Sequence, residues 1–304
     1  MFYFFIFIFG LCVGSFLNVL ILRLGSGQVF RLGSDSGEAP HQNLGKHGTG
    51  FRIGGRSHCP KCAHQLGWKD LMPVLSFIWL KGKCRYCGEK ISWQYPIVEA
   101  ATGILFVFLF LSIFNFNLSI SDVINLIYLL FITSCLIVIF VSDLKYFIIP
   151  DEIILTGIIG FFVFKLFGIL NLGFFSDLGL APLDSLASNG VKILDFKILL
   201  NPLLSAIAAS AFFLAIVLVT RGKGMGLGDV KFAFLMGLVL GWPQILGALL
   251  LAFVSGALVG LGLILAGRAK MKSEIPFGTF LAANTFLIML LSEKILIRYI
   301  NLII

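Results

Sequence analysis

Eight hydrophobic runs lie near residues 2–22, 96–114, 123–142, 152–170, 199–220, 230–242, 244–266 and 276–295 of this 304-residue chain. No feature constrains the fold more. A run of about 20 apolar residues matches the thickness of a bilayer core as a helix, and several in succession leave no soluble arrangement that could bury them all. The composition agrees: 59% of residues are hydrophobic and 12% charged, against about 45–50% apolar and about 25% charged in soluble domains. The expectation is an all-α polytopic membrane protein with about eight transmembrane helices, the sixth of them short. The N-terminal run MFYFFIFIFGLCVGSFLNVLILRL is too long for a signal-peptide core and has no positive stretch before it, so it is read as the first span.

The net charge of +8 does not point to nucleic acid, because the basic residues fall between spans. Residues 23–95 hold eleven Lys/Arg, 143–151 one, 221–231 three and 267–273 three. Alternating the spans from an outside N-terminus puts all four segments on the cytoplasmic side, as the positive-inside rule requires. The chain then divides into a first transmembrane helix (1–22), a cytoplasmic linker and cysteine domain (23–95), and a transmembrane domain (96–304). Residues 25–57 are rich in Gly and Ser and read as a linker. Residues 171–198, with Asp177, Asp184 and Asp195 against Lys192 and Lys197, read as a solvated external loop.

The cytoplasmic segment carries Cys59 and Cys62, then Cys84 and Cys87. Two C-x2-C pairs at this separation fit a tetrahedral four-thiolate zinc site, each pair forming one knuckle. Gly88 suits the tight turn after the second pair. Two disulfides are the alternative, disfavoured on the reducing cytoplasmic side. Four thiolates leave no open position for water, so the Zn2+ is structural and stabilises a segment too small to fold alone. His41, His47, His58 and His64 read as surface histidines, with His58 and His64 as weaker ligand candidates. Cys12 and Cys135 lie within hydrophobic runs and read as small apolar residues. Trp68, Trp79 and Trp93 suit either the headgroup region or packing beneath the zinc.

Four acids stand near cytoplasmic span ends: Glu99, Asp143, Asp151 and Asp229. Carboxylates at membrane depth are costly and face a partner or water. Asp151, after Pro150, reads as a helix N-terminal acid; Glu99 is left open. Asp143 falls at a helix C-terminus, where the macrodipole disfavours it. Asp229 follows Gly222, Gly224, Gly226 and Gly228, a pliable run that is neither a phosphate-binding P-loop nor a dinucleotide fingerprint. Two aspartates delivered to one membrane level suggest a carboxyl pair sharing one proton, one member activating water and the other polarising a carbonyl. That is the chemistry of aspartic proteolysis. An ion pathway built on the two aspartates and a zinc-stabilised membrane scaffold are the other readings.

Four stretches carry a resemblance to a known family: GSFLNVLILRL, the segment CPKCAHQLGWKDLMPVLSFIWLKGKCRYCGEKISWQYPIVE, SDLKYFIIPD and GMGLGDVKF. In this order they resemble the prepilin peptidases, bifunctional type IV leader peptidases of the GxGD class of membrane aspartic proteases. The resemblance implies Asp143 and Asp229 as the peptidase pair and Cys59, Cys62, Cys84 and Cys87 as the zinc ligands; Lys231 receives no catalytic role. It implies cleavage of a short basic leader after glycine, from prepilins or pseudopilins, at the cytoplasmic face of the bacterial inner membrane. It also implies N-methylation of the new N-terminus, usually phenylalanine, with S-adenosylmethionine. The partners implied are those substrates and the lipid bilayer, with no nucleic acid.

Overall fold

The computed structural model of the chain describes residues 2–25, 57, 59, 61–62, 64–113, 120–177, 196–222, 225–268 and 275–303. Residues 26–56, His58 and most of the segment 171–198 lie outside them. The helices are α1 (Phe2–Gly25), α2 (Leu75–Trp79), α3 (Gln94–Ile113), α4 (Ile120–Tyr146), α5 (Asp151–Asp177), α6 (Phe196–Thr220), α7 (Leu227–Leu240), α8 (Gln244–Leu265) and α9 (Phe277–Ile303). Each of the eight hydrophobic runs forms a helix. Among the described residues five helices are long and apolar enough to cross a membrane: α1, α3, α4, α6 and α8. The described apolar part of α9 covers Phe277–Leu291, and α5 opens on Asp151 and Glu152. Helix α7 has 14 residues, about 21 Å at 1.5 Å per residue, against a hydrocarbon core of about 30 Å. Glycine sets its length. Gly226 caps its start and Gly241, at φ +68°, ends it.

The chain separates into two compact units, Met1–Val107 and Phe108–Ile304. In the first, α1 and α3 meet along an antiparallel seam that advances four residues at a time on both helices. A Cβ on Gly10 would lie 2.7 Å from Cα of Gly103, and one on Gly14 would lie 2.7 Å from Cα of Glu99. One turn further along, the Asn18 side-chain amide donates to the Tyr95 carbonyl at 3.1 Å. Lipid tails give apolar helices no hydrophobic reason to associate, so close backbone approach at small residues supplies the packing.

Between α1 and α3 the cysteine domain is built from turns. The second Cys pair sits in a tight loop, where the Cys84 amide donates to the Glu89 carbonyl at 2.7 Å and the Gly88 amide to the Cys84 carbonyl at 2.9 Å. Gly88 has φ +71°, the left-handed geometry expected of it. Asp70, at the end of a single 3-10 turn (Trp68–Asp70), reaches that loop through Arg85 Nε at 2.9 Å and receives the Tyr86 hydroxyl at 3.3 Å.

In the second unit α7 is the central element, packed against α5, α6, α8 and α9, while α4 packs on α5 and α9. Its Phe232, Ala233, Leu235, Met236 and Leu238 are buried. Gly237 lets the α6 backbone at Ser205 and Ala206 lie directly against it. Asn201 of α6 closes the far end, its Oδ1 accepting from the Trp242 amide at 2.9 Å. The 14-residue helix is therefore fixed at both ends and along one flank.

Candidate active site and metal centre

Asp143 lies in the last turn of α4 and is buried. Its Oδ2 accepts the backbone N–H of Thr279 at 2.8 Å, in the first turn of α9. The free amides at a helix N-terminus form a natural carboxylate site. That arrangement answers the dipole problem at the end of α4: the negative group is displaced onto the positive end of another helix.

Asp229, also buried, occupies the first turn of α7 and accepts the Gly226 N–H at 3.2 Å. It therefore caps the helix that carries it. The glycine run is only partly a loop. Gly222, at φ +73°, closes α6, while Gly228 lies inside the first turn of α7. Helix geometry, more than loop pliancy, aims Asp229.

Ile149, in the connection after α4, brings the two acids to one place. A Cβ on Gly228, next to Asp229, would lie 3.3 Å from Ile149 Cβ. A Cβ on Gly278 would lie 2.8 Å from Ile149 Cδ1 and 3.0 Å from both Cγ and Oδ2 of Asp143. One side chain thus wedges between the first turns of α7 and α9. Ile149, Gly278 and Thr279 were not singled out from the sequence. A signal was present in Ile-Pro-Phe-Gly-Thr at 275–279: glycine inside a helix costs about 1 kcal/mol unless close approach requires it.

The other acids separate from this pair. Asp151 opens α5, as expected of a helix N-terminal acid, and meets Lys231 Nζ at 2.6 Å. That contact ties α5 to α7 and occupies Lys231. Glu99 is buried in α3, where its Oε2 accepts the Val74 N–H at 2.8 Å, within the first unit.

The four thiols of Cys59, Cys62, Cys84 and Cys87 converge, with all sulfurs within 4.8 Å of one another. The Cys59 and Cys87 sulfurs are 3.9 Å apart. Tetrahedral zinc at 2.3 Å from each sulfur requires about 3.8 Å between sulfurs, whereas a disulfide requires about 2.05 Å. The cluster fits the metal and not two disulfides. Its protons are unevenly held. The Cys62 amide, helped by that of Lys61, draws the Cys59 thiol from 9.0 down to about 6. At Cys87 the Glu89 amide pulls downward, but desolvation and the neighbouring sulfurs outweigh it and hold the thiol at about 12. Four thiolates so close need a cation, and the cluster could hold a metal such as zinc. His64 is not among the converging ligands; it stacks on Tyr86 with ring centroids 3.6 Å apart. Cys12 lies on α1 and Cys135 on α4.

The chain is similar to known proteins along most of its length. Residues 8–113 match the bacterial peptidase A24 N-terminal domain, and residues 130–261 match the type IV leader peptidase family. The prepilin leader peptidase/N-methyltransferase of Aeromonas hydrophila is 30% identical over 300 residues, covering 95% of this chain and 91% of the relative. The protein of the same name from Bacillus subtilis (strain 168) is 30% identical over 250 residues, covering 82% and 87%. No solved structure matches the chain. With similarity running across both halves and nearly the full length of such relatives, the chain belongs to the type IV leader peptidase family.

Proposed function

We propose that this protein is a membrane aspartic endopeptidase that removes the short basic leader of type IV prepilins or type II secretion pseudopilins after glycine, and that it N-methylates the new N-terminus. Asp143 and Asp229 are the catalytic residues. The observation that carries the reading is their shared setting: two buried carboxyls from α4 and α7, each held by a helix N-terminal amide, with Ile149 wedged between the turns that carry those amides.

Two carboxyls so placed share one proton. The ionised member takes a proton from water as that water attacks the carbonyl carbon of the glycine, in the peptide bond that follows it. The protonated member donates a hydrogen bond to the carbonyl oxygen, and the proton then passes to the leaving amine. The pair titrates as a unit, so neither role is tied to one residue. Fixing both carboxyls through backbone amides holds them ready for the attack.

The positive-inside pattern supports an orientation with the N-terminus outside and with the cysteine domain and the aspartate-bearing helix ends on the cytoplasmic side of the inner membrane. Cys59, Cys62, Cys84 and Cys87 hold a structural Zn2+ that contributes no step to the chemistry. S-adenosylmethionine is the methyl donor of the second activity, and no described side chain is assigned to it.

The test is cleavage of a prepilin-type substrate by the reconstituted, zinc-loaded protein, with mass spectrometry of the product N-terminus. Asp143→Asn and Asp229→Asn should each lower the rate by about 10²–10⁴-fold or more while zinc content is unchanged. Full cleavage by either variant overturns the dyad. A methyl-group mass increase that depends on added S-adenosylmethionine establishes the second activity.

A further inference from the structure

The stretch between the two Cys pairs includes Leu71–Leu80, LMPVLSFIWL, ten residues of which only Ser76 is polar. A stretch of this length is too short to span a bilayer and suits an interfacial or re-entrant segment. Leu75, Ile78 and Trp79 recur at helical spacing and share one face of α2, while Leu71 lies in the turn before it. That face is the open one. Leu71 is 44% exposed, Leu75 49%, Ile78 62% and Trp79 71%. The other side is packed: Phe77 lies against Gly82 and against the Trp93 ring, centroids 4.9 Å apart.

The depth of this segment is set by Glu99. Its Oε2 holds the Val74 N–H at 2.8 Å, and Val74 is the residue just before α2, at φ +58°. Glu99 stands five residues into α3, which begins at Gln94, so the hydrogen bond lies about 7.5 Å inside the helix end. Helix α1 gives an independent measure. Gly14 packs on Glu99, yet the apolar span of α1 continues to Leu24, ten residues or about 15 Å further in the cytoplasmic direction. By both helices, Val74 lies at a level where the neighbouring chain is still crossing the membrane. Phe16, on the same stretch of α1, is 65% exposed, as a lipid-facing side chain would be.

We propose that residues 71–80 form an interfacial segment embedded in the cytoplasmic leaflet, with Leu71, Leu75, Ile78 and Trp79 turned to the lipid. Lys69 precedes the segment and Lys81 and Lys83 follow it, so the apolar face is flanked by cations suited to anionic phospholipid headgroups. Glu99 is the positioning residue: its carboxylate satisfies the Val74 N–H where the turn begins. The Cys knuckles on either side anchor both ends of the segment at the membrane surface.

The test uses the full-length, zinc-loaded protein with Trp68, Trp93 and Trp242 replaced by Phe, so that Trp79 alone reports. It is reconstituted in phosphatidylcholine–phosphatidylglycerol vesicles carrying lipids brominated either near the headgroup or deep in the acyl chain. The expected result is loss of most Trp79 emission to the shallow bromines and less to the deep ones. Glu99→Gln, which retains an acceptor for Val74, should behave as its parent. Glu99→Leu should lose part of the quenching while zinc content stays constant. Trp79 emission untouched by either lipid overturns the proposal. Quenching by aqueous iodide would then place the face in water, and protection from iodide as well would place it against protein, including a second copy of this chain.

Discussion

Thr279 donates its backbone N–H to Oδ2 of Asp143 at 2.8 Å, across 136 positions of sequence. Through this bond the start of α9 orients a carboxyl carried at the end of α4. The residue between Thr279 and the helix start is Gly278, and its missing side chain leaves the room that carboxyl occupies.

Gly278→Ala should therefore impair catalysis more than folding. Its Cβ would sit 3.0 Å from Asp143 Cγ and 2.8 Å from Ile149 Cδ1, and overpacking of this kind costs about 1–3 kcal/mol. Displacement of a reacting carboxyl by about 1 Å costs about 10²-fold in rate. Leader cleavage should fall by that order with zinc content retained, measured by substrate turnover beside metal analysis. A Gly278→Ala protein that cleaves like wild type would remove this glycine from the site.

Lys231→Met should matter little. Its partner is Asp151, and both side chains are more than half exposed, where ion pairs contribute about 0–1 kcal/mol. Thermal unfolding in detergent should shift only slightly and cleavage should stay within a few-fold of wild type. A large loss of activity at unchanged stability would give Lys231 a place in the chemistry.

Metal binding to the stripped protein should release fewer than four protons at pH 7. The Cys59 thiol, lowered from 9.0 to about 6, is already a thiolate there and releases none. Cys87, held at about 12, must give one up. The sign follows from the depressed group: Cys59 is ionised above pH 6 and takes up a proton as pH falls through that value, so proton release should rise and zinc affinity weaken below it. Calorimetric titration in buffers of different ionisation enthalpy reads the count directly.

Gly14→Val should separate α1 from α3. Even the first added carbon would lie 2.7 Å from Cα of Glu99, and a backbone atom cannot rotate away. Destabilisation of about 1–3 kcal/mol or more is expected, read as a lowered unfolding temperature. The matching change at Gly262, where a Cβ meets nothing within 4 Å, should be tolerated and serves as the control.

Much of this protein was legible in the sequence because the signals were local. Hydropathy alone marks the eight helical runs, since a bilayer selects for length and apolarity within one segment. The C-x2-C pairs announce their metal because each knuckle is complete within a few residues, and Asp151 after Pro150 announces a helix start. What remained open depended on contacts between distant segments. Glu99 holds the Val74 amide 25 residues before it, and Asp143 holds an amide 136 residues after it. Composition could say that two acids stood at helix ends; only packing through Gly228, Gly278 and Ile149 decided that those ends meet, because a close approach is a property of two backbones and neither sequence segment contains the other.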